Sequence, residues 1–202
     1  IVNGIFAENK VSQSGEGPSQ NAVDMFETKW GDALNTQVDR DIAIAQGHYN
    51  DQNPYVDRDP RFYIDIIYNQ AHLPGYEKAD IYYEIVEGVP VYGELLNQDY
   101  MGVTQTGYYN RKQWGGQSIK NQITVSITDP LIRLAELYLN YAEAANEAYG
   151  PNTPAPGASL SAVGAINVIR NRAEMPDILS KYTSSKELLR DRIKNERNVE
   201  LI

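Results

Sequence analysis

The stretch Asp129-Pro130-Leu131-Ile132-Arg133-Leu134-Ala135-Glu136-Leu137-Tyr138-Leu139-Asn140-Tyr141-Ala142-Glu143-Ala144-Ala145 decides the fold class. Leu131, Leu134, Tyr138, Tyr141, Ala142 and Ala145 recur at helical spacing and define one apolar face. Asp129 before Pro130 predicts the helix start, because Pro at the first helical position loses no hydrogen bond. Gly150-Pro151 predicts its end. Ala135, Ala142, Ala144, Ala145 and Ala148 are small enough to let another helix come close.

Working outward, residues 150–157 are Pro- and Gly-rich and read as a connector. A second helix is predicted after Ser159 or Ser161, with Ala162, Ala165, Ile166, Ile169 and Ala173 on one face, ending at Met175-Pro176. A third starts at Ser184 with Glu187 three residues on, a capping box. Leu188, Leu189, Ile193, Val199 and Leu201 line it. A helix pair with Tyr and Ala at such spacing, closed by Gly-Pro, is reminiscent of tetratricopeptide units, although no 34-residue repeat runs through the chain.

Before position 129 the character differs. Residues 7–24 read as a loop. Asn21 to Leu34 has helical spacing, with Trp30 on its apolar face and assigned to the core. Residues 35–61 read as irregular apart from a patch around Ile42 and Ile44. Arg61 to Tyr68 is β-branched and aromatic-rich, which predicts a strand. Ile81 to Val86 and Ile123 to Ile127 are weaker strand candidates. The expected architecture is mainly α, a tetratricopeptide-like helical scaffold with a loop-rich region containing short β-strands. Residues 1–128 form the loop-rich, short-strand part and 129–202 the helical part, both within one larger domain.

Composition excludes several functions. The chain has 202 residues and a net charge of -9. That argues against sequence-independent nucleic-acid binding, which needs cations to displace phosphate counterions, and against adsorption to an anionic bilayer. No apolar run reaches the roughly 18–20 residues of a membrane-spanning helix. With no cysteine, disulfides, Cys-ligated metals and thiol catalysis are out. Residues 181–202 carry six cations and four acids, read as a solvated helix face. Both ends break off inside apolar or helical pattern, so the chain is expected to be an interior segment of a longer protein.

Three blocks near the C-terminus resemble the SusD/RagB family. They are Arg133-Leu134-Ala135-Glu136-Leu137-Tyr138-Leu139-Asn140-Tyr141-Ala142-Glu143-Ala144, then Ala165-Ile166-Asn167-Val168-Ile169-Arg170-Asn171-Arg172-Ala173-Glu174-Met175-Pro176, then Leu188-Leu189-Arg190-Asp191-Arg192-Ile193-Lys194-Asn195-Glu196-Arg197-Asn198-Val199-Glu200-Leu201. Upstream, Asn21 to Glu27, Asp57 to Tyr63 and Thr106 to Lys112 resemble the family's middle region. The resemblance implies a non-enzymatic, surface glycan-capture lipoprotein of Bacteroidetes, held at the outer membrane by an N-terminal lipid anchor outside this segment. It also implies an oligosaccharide or peptide ligand and a SusC-like TonB-dependent transporter as partner. It implies no cofactor and no nucleic acid. The family's Phe-Glu-Gly-His-Arg-like stretch, which would begin just after Leu201, has no counterpart before the chain ends.

Candidate chemistry follows from residue types. Eleven of the 15 tyrosines lie between Tyr49 and Tyr109. A pyranose offers an apolar C–H face for an aromatic ring and a hydroxyl rim for Asn, Asp or Gln. Tyr63, Tyr138 and Tyr141 lie in regular elements and are assigned to packing. Tyr108, Tyr109 and Trp114 stand near glycines that could present rings from loops, and are the ligand-binding candidates. Asp57 and Asp59 could be read as a glycosidase pair. However, Arg58 and Arg61 would depress pKa values that such chemistry needs raised, and Asp59-Pro60 reads more simply as a turn. His48 and His72 lack a helical partner for zinc and read as surface or hydrogen-bonded residues. Arg133, Arg170, Arg172 and Arg197 are expected to pair with Glu136, Glu143, Glu196 or Glu200 and to cap carbonyls. A helical-repeat scaffold for protein or peptide is the second reading, and a glycoside hydrolase or lyase the third.

Overall fold

The computed structural model describes residues 17–73, 78–96, 103–112 and 130–201. The fold is mainly helical. The chain divides into two compact units, one formed by residues 1–23 and 63–128, the other by 24–62 and 129–202. The boundaries at 23/24 and 62/63 have no counterpart in the sequence reading, which kept 24–62 with the loop-rich half.

In the second unit three long helices carry the core. They are α4 (Leu134–Tyr149), α5 (Ala162–Arg172) and α6 (Lys186–Leu201). Ala142 and Ala145 of α4, Ala162, Ala165 and Ile166 of α5, and Leu189 and Ile193 of α6 form one buried cluster with Ile178. Tyr138, Tyr141, Val163 and Tyr182 pack against it. Alanines on facing helices let the backbones approach while bulkier residues fill the gaps around them. All five residues predicted for the α5 face are buried. The Ser161 hydroxyl accepts from Gly164 N–H at 3.1 Å, which settles the choice between Ser159 and Ser161 as cap. Gly150, at a φ of 86°, ends α4 by donating its N–H to the Asn146 carbonyl.

Two helix starts differ from expectation. The first turn of α4 lies beyond Arg133, four residues after Asp129-Pro130. Arg133 is extended, and its guanidinium reaches both the Glu200 carboxylate and the Glu200 carbonyl. This tether holds the backbone out of the helix. Leu131 and Leu134, placed on the apolar face by sequence, are exposed, Leu131 to 97%. Ser185, one residue after the predicted cap, accepts from Leu188 N–H at 3.2 Å. The Ser184 hydroxyl instead donates back to the Lys181 carbonyl.

The segment 24–62 holds a helix that sequence reading missed, α2 (Gln37–Ala45). Thr36 and Asp39 form a reciprocal capping box, each side chain accepting from the other's N–H at 3.1 Å. Ala43 is its buried residue, while the larger apolar Val38, Ile42 and Ile44 are exposed, so its apolar residues do not mark the packed face. Conversely, α1 (Gln20–Asp24) is only five residues long, where helix was expected to Leu34. Thr28 N–H instead donates to the Asp32 carbonyl and Gly31, at a φ of 87°, closes the turn.

The strand predicted over Arg61–Tyr68 is corrected. Residues Pro60–Asp65 form α3, and only Ile66–Ile67 are extended, as β1. Asp59 caps the helix by accepting from Arg61 N–H at 2.9 Å, with Pro60 at the first position. A cap and a prolyl φ act on one turn directly, whereas β-propensity needs a neighbouring strand to be realised.

The first unit is built on β1, which pairs antiparallel with β4 (Tyr109–Asn110), and on a hairpin of β2 (Tyr83–Val86) and β3 (Val89–Tyr92). Its core is Ile67, Ala71, Leu73, Ala79, Ile81, Leu95 and Tyr109. Glu87 and Gly88 both take positive φ, as the two-residue hairpin turn demands. Residues 123–127, the other strand candidate, lie outside the described residues.

Candidate functional site

The second unit encloses a network of guanidinium and carboxylate groups. Arg61, at the start of α3, pairs with Asp59 at 2.7 Å, Glu196 at 2.6 Å and Glu200 at 3.1 Å. Arg170, on α5 and 1% exposed, bridges Glu27 at 2.9 Å and Glu196 at 3.1 Å. It also donates from Nε to the Pro176 carbonyl. Arg192 donates to Glu27 at 3.0 Å and to Asn35 at 3.1 Å. Arg133 and Arg172 converge on Glu200 from the more exposed side.

Helical spacing explains the arrangement. Arg192, Glu196 and Glu200 stand four apart on α6 and so project from one face. Burial pushes the Glu27 carboxyl above its ordinary value, with Arg170 and Arg192 pulling against it. Burial works against the Arg170 charge too, but Glu27 and Glu196 outweigh it and raise its pKa. Arg61 is likewise held charged, its desolvation overcome by Asp59 and Glu196. The structural role expected for Arg133, Arg170, Arg172 and Arg197 holds: Arg197 reaches Asn140 and Glu143. What sequence reading missed is Glu27, the acid shared by Arg170 and Arg192.

The predicted ligand-binding tyrosines are interior. Tyr108 is 6% exposed and donates its hydroxyl to Gln20 Oε1 at 2.8 Å. Tyr109 is 3% exposed, donates to the Leu95 carbonyl at 2.6 Å and accepts from Thr104 N–H. Burial raises the Tyr109 pKa. Tyr109 sits in the core cluster with Ile67 and Leu95, and both rings are buried. Trp114 lies outside the described residues.

Trp30 and His48 form an aromatic pair more open than Tyr108 and Tyr109. The tight turn Thr28–Asp32 carries Trp30 out of the core position assigned to it. Its ring stacks on His48 with centroids 4.2 Å apart and planes 12° from parallel. Lys29 Nζ stands 4.5 Å from the Trp30 ring centre and pairs with Asp57 at 2.8 Å. His48 Nδ1 lies 2.6 Å from Asp32 Oδ2; an ionised carboxylate only accepts, so Nδ1 carries the proton. Thr28 and Lys181 also donate to Asp32. The result is a half-exposed ring pair bordered by ammonium and carboxylate groups, a surface able to meet a hydroxyl-rich ligand with both apolar and polar contacts. Gly31 and Gly47, both at positive φ and next to the two rings in sequence, are the signal from which these turns could be read. Asp57 and Asp59 are each engaged by a cation, Lys29 and Arg61. His72 is exposed.

Burial raises the Asp32 pKa, but the hydrogen bonds from His48 and Thr28 and the charge of Lys181 outweigh it, and the net shift is downward. A carboxyl with a folded-state pKa below its unfolded value stabilises the fold above about pH 4, and that contribution is lost as pH falls through the folded value. Asp32→Asn is therefore expected to cost about 1–2 kcal/mol at pH 7, a difference that narrows below about pH 4. Urea unfolding of both proteins at pH 7 and pH 3 measures it; an equal gap at the two pH values contradicts it.

Among the described residues no group of three or more His, Asp or Glu is placed to hold a metal ion, and no helix is long and apolar enough to cross a membrane. A family model described as the SusD family matches residues 6–202. Comparison with curated proteins and with solved structures gave no significant match.

Proposed function

Since the chain belongs to the SusD family, whose members serve nutrient binding in general, we propose that it captures oligosaccharide at the cell surface and passes it to a SusC-like TonB-dependent transporter in the outer membrane. The observation that carries this reading is the family match over residues 6–202, nearly the whole chain. In this reading the protein is a lipid-anchored component on the extracellular face and performs no catalysis. The mainly helical body acts as scaffold, and aromatic groups at its surface meet the sugar. Trp30 with His48 supplies one such surface through its stacked rings, and Trp114 remains a stacking candidate on its sequence setting. Tyr108 and Tyr109, being buried, are not used as stacking rings in this reading.

Isothermal titration against a panel of oligosaccharides and peptides tests the reading, together with copurification from native membranes. The expected result is saturable binding of at least one oligosaccharide, without turnover, and recovery of a barrel transporter with the protein. Binding should fall at least tenfold in Trp30→Ala or Trp114→Ala, as loss of a stacking aromatic implies. Failure to bind any member of the panel, with no barrel recovered, would remove it.

A further inference from the structure

The hairpin of β2 and β3 forms a two-stranded sheet whose outer edges differ. Its register pairs Tyr83 with Tyr92, Glu84 with Val91, Ile85 with Pro90 and Val86 with Val89. Gly93 N–H donates to the Tyr82 carbonyl at 2.9 Å. That bond sets the phase of the ladder: residues 82, 84 and 86 bond toward β3, and 83 and 85 do not. Pro90, which has no N–H, accordingly stands opposite Ile85 in a pair without ladder bonds. The N–H and C=O groups of Tyr83 and Ile85 thus point away from β3. Among the described residues nothing pairs with them. The outer edge of β3 presents Pro90 and Tyr92, and the missing donor at Pro90 blunts it.

Side chains on the open strand are exposed throughout, Tyr83 to 53% and Ile85 to 64%. Tyr83 and Ile85 share one face, where the Tyr83 and Tyr92 rings stand 5.2 Å apart. Glu84 projects from the other face. Acids dominate the vicinity: residues 78–96 contain Asp80, Glu84, Glu87 and Glu94 against Lys78 alone.

We propose that the outer edge of β2 is a strand-addition site for an extended segment of another protein, with a basic residue flanked on both sides by apolar ones. Backbone groups of Tyr83 and Ile85 would complete the ladder. The basic side chain would lie opposite Glu84, and its apolar neighbours would cover Tyr83 and Ile85 on the reverse face. A second copy of the chain fits poorly. Antiparallel pairing of two β2 strands that uses both open residues sets Glu84 against Glu84 in a close pair, and like charges directly opposite repel. The site is independent of the nutrient-capture reading.

The probes are two capped pentapeptides of alternating residues, one with lysine between two valines, the other with glutamate in that place. Amide hydrogen exchange on the full chain is read by NMR. The lysine peptide should slow exchange at Tyr83 and Ile85, leaving Glu84 and Val86, already bonded to β3, unchanged. It should bind about fivefold better than the glutamate peptide, the factor that about 1 kcal/mol of cross-strand charge pairing supplies. Glu84→Lys should reverse that preference. Because the reversal is a gain of binding, an unfolded variant could not mimic it. No protection by millimolar peptide, a preference that Glu84→Lys leaves unchanged, or protection of the two amides by raised protein concentration alone would each overturn the proposal.

Discussion

Replacing Arg170 by alanine is expected to destabilise the protein by about 3–5 kcal/mol, a figure typical of breaking a buried ion pair by removing one partner. Arg170 is the cation common to Glu27 and Glu196. Without it, Glu196 keeps Arg61 and Glu27 keeps Arg192, but each carboxylate loses a charge-assisted bond inside the core. The carbonyl of Pro176 loses its donor as well. A cavity left by a large side chain adds to the cost. Equilibrium urea unfolding measures the loss, and a change below about 1 kcal/mol would show that the network does not hold the second unit together. A double-mutant cycle with Glu27→Gln should return a coupling of roughly 0.5–3 kcal/mol, because the two residues share one contact. Arg190→Ala, which removes an exposed pair with Glu147, should leave the unfolding midpoint unchanged, since water already solvates both groups.

Phe62→Ala should cost a comparable amount, about 3–5 kcal/mol. Phe62 is fully buried in α3 and meets Phe26 edge to face at 5.7 Å. Tyr55 stacks at 6.1 Å and the Arg58 guanidinium stands 5.0 Å from the ring centre. Arg58 is itself held by the Phe26 and Pro54 carbonyls, which resists its collapse into the space. In a chain of this size the loss corresponds to about 2–4 °C of melting temperature per kcal/mol. Leu131→Ala is the matched control. At 97% exposure Leu131 should change stability by no more than about 0.5 kcal/mol. A calorimetric melt of the three proteins distinguishes the expectations, and a Phe62 variant that melts with the parent contradicts the packing.

Local signals in the chain decide structure where one residue acts on its immediate neighbours. Ser161 caps α5, Gly150 ends α4, and the apolar spacing of Ala162 to Ala173 places that face inside. The weaker strand candidate Ile81 to Val86 is a strand over Tyr83–Val86, while the hairpin turn at Glu87-Gly88 has no counterpart in the sequence reading. Expectation and structure part where a local signal meets a stronger one, near or far in sequence. At Asp59-Pro60 the cap and proline turned a β-rich run into helix, while before Arg133 an apparently equal Asp-Pro start yielded to a distant ion pair. For the candidate site, residue type drew attention to tyrosines, and only their burial separated Tyr108 and Tyr109 from rings that meet solvent.

The amino-acid order alone determined that this is a mainly helical, cysteine-free, acidic chain, because helix spacing and composition are local properties that no partner residue can alter, and its ordered sequence blocks carry the resemblance to the SusD family. Which of its charges lie inside was decided in three dimensions. Glu27 stands 143 positions from Arg170 and 165 from Arg192. Nothing in its own neighbourhood distinguishes it from a surface acid. Its place follows from the balance between the cost of dehydrating a carboxylate and the attraction of the two guanidinium groups that folding brings to it.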